Sequence, residues 1–209
     1  MGIYLFFEMS EQSTPVRFYF RGGNLALDFV NTVGNRLSKT EKRDYFRAPE
    51  DVMRWAKEAN LSLPRKNGAN GKEIARANDL EEMLSFRETL YRIFLSQVNH
   101  KPASQNDLRR LNEVLLKHRS RMYLSLTHGA YKWSAKPISN FDWIIEEAAE
   151  SAAALLTSPE LEQLRVCEDE DCGWFFLDRS RNLPRRWCSM EDCGNRAKAR
   201  RHYERVKQS

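Results

Sequence analysis

Four cysteines, all in the last fifth of a 209-residue chain, constrain its folding more than any other feature. They fall as Cys167-x4-Cys172-x15-Cys188-x4-Cys193, and none precedes residue 167. Two equally spaced pairs bring four thiolates within reach of one tetrahedral cation, and soft sulfur ligands favour zinc. Four sulfur ligands leave no open coordination position, so the expected zinc, one per chain, is structural rather than catalytic. A module this small has little core of its own, and ligation has to supply about 10 kcal/mol of its folding free energy.

The compartment follows from the same residues. The opening MGIYLFFEM is apolar, but it is too short for a signal h-region and has no basic segment before it; Met9 offers an alternative start. No segment approaches the ~20 apolar residues of a membrane span. The expected location is therefore cytoplasmic, where thiols stay reduced and metal ligation outcompetes disulfides.

Charge is distributed unevenly. Residues 174–209 carry ten Lys/Arg against four Asp/Glu, while the rest of the chain carries twenty-four against twenty-five. The whole net charge of +5 thus resides in the tail, and such local clustering attracts polyanions.

Ahead of the tail the sequence reads as mainly helical, with small β elements. Val16, Phe18 and Phe20 alternate as in a short strand, and Gly22-Gly23 turns the chain. Leu25, Leu27, Phe29, Val30 and Val33 follow, with a periodicity that suits helix or strand. Pro49, with Glu50 and Asp51 behind it, predicts a helix whose Val52, Trp55, Ala56 and Ala59 share one face. PRKNGANG at 64–71 reads as a loop. Over 72–99, Leu80, Met83, Leu84, Tyr91, Phe94, Leu95 and Val98 recur at helical spacing. Ser104 and Asp107 predict an N-cap before Leu108, Leu111, Val114 and Leu115. RMYLSLTHGAYKWSA alternates around His128-Gly129, as a β-hairpin does. Ser139 and Asn140 offer caps for a helix through Phe141, Ile144, Ile145, Ala148, Ala152 and Leu155, and Ser158-Pro159 starts one more short helical turn. The predicted class is mainly α with small β elements (α+β): a helical domain over 1–160 and a treble-clef-like zinc finger over 161–209.

Within the finger, Trp174, Phe175, Phe176 and Leu177 alternate, and Trp187 precedes Cys188; this predicts a hairpin between the two ligand pairs. Free N–H groups of Gly194, Asn195 and Arg196 at the start of the last helix are placed to donate to the Cys188 and Cys193 sulfurs. On a helical wheel Ala199, Tyr203 and Val206 share the face expected to pack on that hairpin. Lys198, Arg201 and Arg205 point away, and Arg196, Arg200 and Lys207 line one flank. Phosphate contact suits this spread of cations. Arg179, Arg181, Arg185 and Arg186 of the hairpin turn extend the surface, though part of this set must neutralise the thiolates or the acidic EDED at 168–171.

The run CGWFFLDRSRNLPRRWCSMEDCGNRAKARRHY resembles the CGNR-type zinc finger of bacterial proteins, after the tetrapeptide Cys193-Gly194-Asn195-Arg196. The upstream FRGGNLALDFVNT and EDVMRWAKEANL resemble the ABATE domain that accompanies it. The resemblance implies a stress-response transcription regulator whose finger has a binding role, and it aligns Gly22, Gly23, Asp28, Asn31, Thr32 and Arg36 with the N-terminal motif. Asp28, Asn31 and Arg36 are read either as capping and buried hydrogen-bond residues or as a small-molecule effector site. His100, His118 and His128 have neither zinc nor triad spacing and are read as surface or turn residues. His202 adds charge to the basic helix.

Three classes of function compete. The first is a DNA-binding regulator, with a front domain that senses an effector or forms a homodimer and a finger on duplex DNA. The second is an adaptor whose finger binds protein or RNA. The third, an enzyme, lacks a Gly-rich phosphate loop, a nucleophile elbow and a His/carboxylate pair.

Overall fold

A computed structural model describes residues 16–61, 77–136, 138 and 141–207. The apolar opening with Met9, the loop at 64–71, the predicted helix start at 72 and the caps Ser139 and Asn140 lie outside the described residues.

The architecture is α+β and mainly helical: six α-helices with three two-stranded antiparallel sheets among the described residues. Its centre is α5 (Asp142–Leu156), which buries Trp143, Ile144, Ile145, Ala148, Ala149, Ala152 and Leu155 around most of its circumference. α1 (Leu25–Val30) packs against it. Asn24 caps α1 by accepting from Ala26 N at 2.9 Å, and it also accepts from Ser151 Oγ of α5 at 3.0 Å. A cap that also docks the helix settles the ambiguous periodicity of 25–33 in favour of helix over 25–30, while Val33 passes into a strand. α3 (Ala77–Val98) and α4 (Gln105–Arg119) complete the layer; Ser104 caps α4 by accepting from Asp107 N. α2 (Pro49–Glu58) places Trp55 against Phe29 and Phe46, ring centroids 5.7 Å away in each case.

The segment predicted as a first strand pairs with no other strand among the described residues. Phe18 is buried against Tyr45 and Phe46 while Phe20 remains 40% exposed, so the alternation reflects side-chain packing without a ladder. Instead β1 (Val33–Gly34) pairs with β2 (Arg43–Asp44). The hairpin of β3 (Met122–Thr127) and β4 (Ala130–Ala135) forms as expected. His128 (φ 52°) and Gly129 (φ 78°) make its two-residue turn, the left-handed pair that matches strand twist. Its register sets Leu124 opposite Trp133 and Leu126 opposite Tyr131, all four more than half exposed. His118 departs from the surface reading: it is largely buried, with Nδ1 2.9 Å from Glu146 Oε2, so the structure does contain a His/carboxylate pair that the sequence did not reveal.

One core runs through both halves of the chain. β5 (Leu164–Val166) and β6 (Phe175–Leu177) pair antiparallel, and Leu164, Phe175 and Leu177 belong to the same buried cluster as α1, α3 and α5. Phe175 packs on Tyr91 and Phe94 of α3, centroids 5.2 and 6.0 Å away.

Candidate metal centre and basic helix

The sequence around the first cysteine pair folds as strand, knuckle, strand. β5 leads into Cys167, whose N–H donates to Trp174 O at 2.8 Å, and Cys172 N–H returns to Asp169 O at 3.0 Å. Gly173 (φ 68°) then turns the chain into β6; a Cβ there would also lie 2.9 Å from Leu37 Cγ. The expected hairpin between the two ligand pairs is therefore not formed. β6 pairs backward with β5, and residues 178–186 form an irregular loop. Two physical causes act there. Asn182 and Leu183 are both left-handed, and buried Asp178 accepts from Ser180 N at 3.0 Å and Arg185 N at 2.8 Å.

The second pair sits at the root of the last helix. Ser189 accepts from Asp192 N, a single wide turn spans Met190–Gly194, and α6 runs Asn195–Lys207. Gly194 N–H bonds to Ser189 O, so it does not serve a sulfur. The Arg196 side chain does so instead: Nη2 donates to Cys193 Sγ at 3.2 Å and, with Nε, to Asp169.

All four cysteines are buried, and their Sγ atoms lie within 4.8 Å of one another. Cys172–Cys188 and Cys188–Cys193 are each 3.6 Å apart. That is far beyond a disulfide bond and close to the ~3.8 Å edge of a tetrahedron with metal–sulfur bonds of about 2.3 Å. The donor set therefore fits a thiophilic cation. Hydrogen bonds from Cys172, Cys188 and Cys193 hold the Cys167 thiol well below its usual range, and the hydrogen bonds to Cys167, with burial adding to them, push Cys172 and Cys188 up. Four thiolates at this spacing need a cation among them to ionise together. Burial opposes the charge on Arg196, but the Cys193 thiolate and Asp169 outweigh it and raise its pKa.

The front of the chain holds this centre by its backbone. Arg36 N donates to Cys172 O at 3.1 Å, Leu37 N to Asp171 O at 3.0 Å, and Trp174 Nε1 to Val33 O at 2.7 Å. Leu177 N donates to Gly22 O. Asn31 matches both main-chain groups of one residue: Nδ2 donates to Phe175 O at 2.8 Å, and Oδ1 accepts from Phe175 N at 2.9 Å. Arg36 bonds Glu88 at 2.6 Å and Val30 O at 3.0 Å, its guanidinium 4.0 Å from the Tyr91 centroid. Asp28 accepts from Gly22 N at 2.7 Å, and burial pushes its carboxyl up to about 6. None of the three lines the cleft beside the cysteines.

The basic residues divide into two groups. The acidic knuckle takes Arg186 on Glu168, Arg196 on Asp169, and Arg200 on both Glu170 and Asp171. Arg185 lies over the Phe176 ring and donates to the Trp187 and Cys188 carbonyls. Lys198, Arg201 and Arg205 are exposed, with Arg201 Nε on Ala197 O and Arg205 Nε on Arg201 O. The wheel placed its packing face wrongly. Ala199 is exposed, as are Tyr203 (71%) and Val206 (61%), because Trp174 packs on Tyr19 and Tyr45, Phe176 is buried in the cluster around the cysteines, and no hairpin lies under α6 among the described residues. Sequence reasoning passed over Arg21, which pairs with Asp192 at 2.5 Å and ties the front segment to the start of α6. Its only signal was its place next to Gly22-Gly23.

A helical domain fused through a shared core to a finger with a buried four-cysteine metal site defines the class of protein. Residues 163–206 match the family model of the CGNR zinc finger. Residues 23–159, more than half of the chain, match the ABATE model, described as "Putative stress-induced transcription regulator"; the chain belongs to this family. Neither family is one of enzymes. A search of curated proteins found no match. Among the described residues no helix is long and apolar enough to cross a membrane.

Proposed function

We propose that this protein is a cytoplasmic DNA-binding transcription regulator in which Cys167, Cys172, Cys188 and Cys193 hold one structural zinc. The observation that carries the reading is the four-thiol cluster at the root of an exposed basic helix. Four sulfur ligands saturate zinc, so its contribution is to fix the knuckle against the start of α6. Arg196, Arg200, Arg185 and Arg186 then hold the finger together, and Lys198, Arg201 and Arg205 face the phosphates of duplex DNA. Asp28, Asn31 and Arg36 act as joints of the fold rather than as an effector site. The exposed hairpin face of Leu124, Leu126, Tyr131 and Trp133 is the surface on which two copies meet, and a dimer would present two basic helices to one duplex.

One observation favours the adaptor reading: Tyr203 and Val206 leave an apolar stripe on α6 for a protein partner. Titration of labelled duplex DNA with zinc-loaded protein at two salt concentrations separates the two. Steeply salt-dependent binding supports the regulator, and no binding at low salt supports the adaptor.

A further inference from the structure

A cleft of about 230 Å³ opens beside the cysteine cluster, between Arg196 and Asp192 of the finger and Arg21, Arg43 and Tyr45 of the front segment. A second, wider depression of about 570 Å³ continues from it past Arg17 and Arg47. The two share Tyr19, Arg43 and Tyr45, so they form one groove that begins at the first turn of α6 and runs over β2. The walls are cationic because their acids are already engaged. Asp44 takes a two-point contact from Arg87, at 2.9 and 2.5 Å, and Asp192 takes Arg21. Arg47 leans on Asp51 at 3.5 Å. Arg17 and Arg43 are exposed and make no ion pair among the described residues; Arg17 lies 5.3 Å from the centroid of the Tyr19 ring.

The local fold explains the division of labour. In the two-residue ladder Asp44 and Arg43 point to opposite sides. Asp44 gives its carboxylate to Arg87 of α3 although it also lines the second depression, and Arg43 lines both. Gly34, opposite Arg43, is needed for the floor: a Cβ there would run into the Tyr45 hydroxyl.

We infer that this groove seats the phosphodiester backbone of the same nucleic acid that α6 contacts, so that the interface is built from the front segment and the finger together. The inference rests on the nucleic-acid reading above. It adds Arg17 and Arg43 as contact residues, and it accounts for the backbone bonds and the Arg21–Asp192 pair that lock the two segments side by side. A polyanion lying along the groove meets Arg17 and Arg43 without displacing an internal ion pair, which is the arrangement that favours counterion release.

The test uses full-length, zinc-loaded protein and a fluorescent mixed-sequence duplex of about 20 base pairs, spanning two turns of B-DNA, over a series of salt concentrations. Arg17→Ala/Arg43→Ala should weaken binding by about tenfold at low salt and lower the slope of log affinity against log salt by about two. Arg43→Lys should bind nearly as wild type. Zinc content and circular dichroism of all variants should be unchanged, since neither arginine holds an internal ion pair. If wild type binds and the double variant binds equally well with the same slope, the groove is not part of the interface, while the regulator reading stands. If wild type fails to bind the duplex, both fall. Binding of inorganic tripolyphosphate or ATP tighter than duplex, lost in the double variant, would assign the groove to a free phosphate ligand and overturn the inference.

Discussion

Replacing Asn31 by alanine tests whether the finger is a separate module or part of the core. Its side chain satisfies both main-chain polar groups of Phe175, and both residues are almost fully buried. Alanine leaves one buried N–H and one buried C=O without partners, at about 1–3 kcal/mol each. The loss should therefore be about 2–6 kcal/mol, a large part of the roughly 5–15 kcal/mol that holds a domain folded. Because Phe175 packs on Tyr91 and Phe94, the effect should reach the helices. Urea titration followed at once by circular dichroism and by a colorimetric zinc chelator should give coincident transitions in wild type. In the variant both should move together to lower urea. Zinc release that shifts alone, with the helical transition unmoved, would refute the shared-core argument and restore an independent domain over 1–160. A loss below about 1 kcal/mol would refute the hydrogen-bond argument.

Elemental analysis should find one zinc per chain, and Cys172→Ser should lower the melting temperature of the whole protein, because Phe175 and Leu177 sit in the common core; unaltered helical melting would contradict this. Lys198→Ala/Arg201→Ala should retain zinc and flatten the salt dependence of DNA binding by about two units, measured by fluorescence anisotropy. Asp28, held at about 6 against an ordinary 3.8, destabilises the charged fold: stability should fall as pH rises from about 4 to 6 and then level off. Asp28→Asn should remove that slope and gain about 3 kcal/mol above pH 6, with no gain below pH 4, in urea titrations across that range. Trp133→Lys should shift the sedimentation of concentrated protein toward monomer if two copies meet on the hairpin.

Much of the molecule was legible because its signals are local. The spacing of Cys167, Cys172, Cys188 and Cys193 pointed to the metal site, Pro49 and Ser104 marked helix starts, and His128-Gly129 marked a two-residue turn, since caps, turns and short ligand loops depend on neighbours a few residues away. Strand pairing is not local. The alternation at 174–177 was correctly extended, but only the tertiary fold chose β5 over residues 185–188 as its partner, because buried Asp178 organises the intervening loop. The wheel of α6 named a plausible inner face, yet burial depends on what lies beneath, and Trp174 packs on Tyr19 and Tyr45 while Phe176 is buried around the cysteines instead. Likewise, sequence could count the arginines but could not divide them. Composition determined that the tail is basic. Tertiary structure decided which charges face solvent, because the acidic residues 168–171 reach Arg186, Arg196 and Arg200 only when the knuckle folds over the helix.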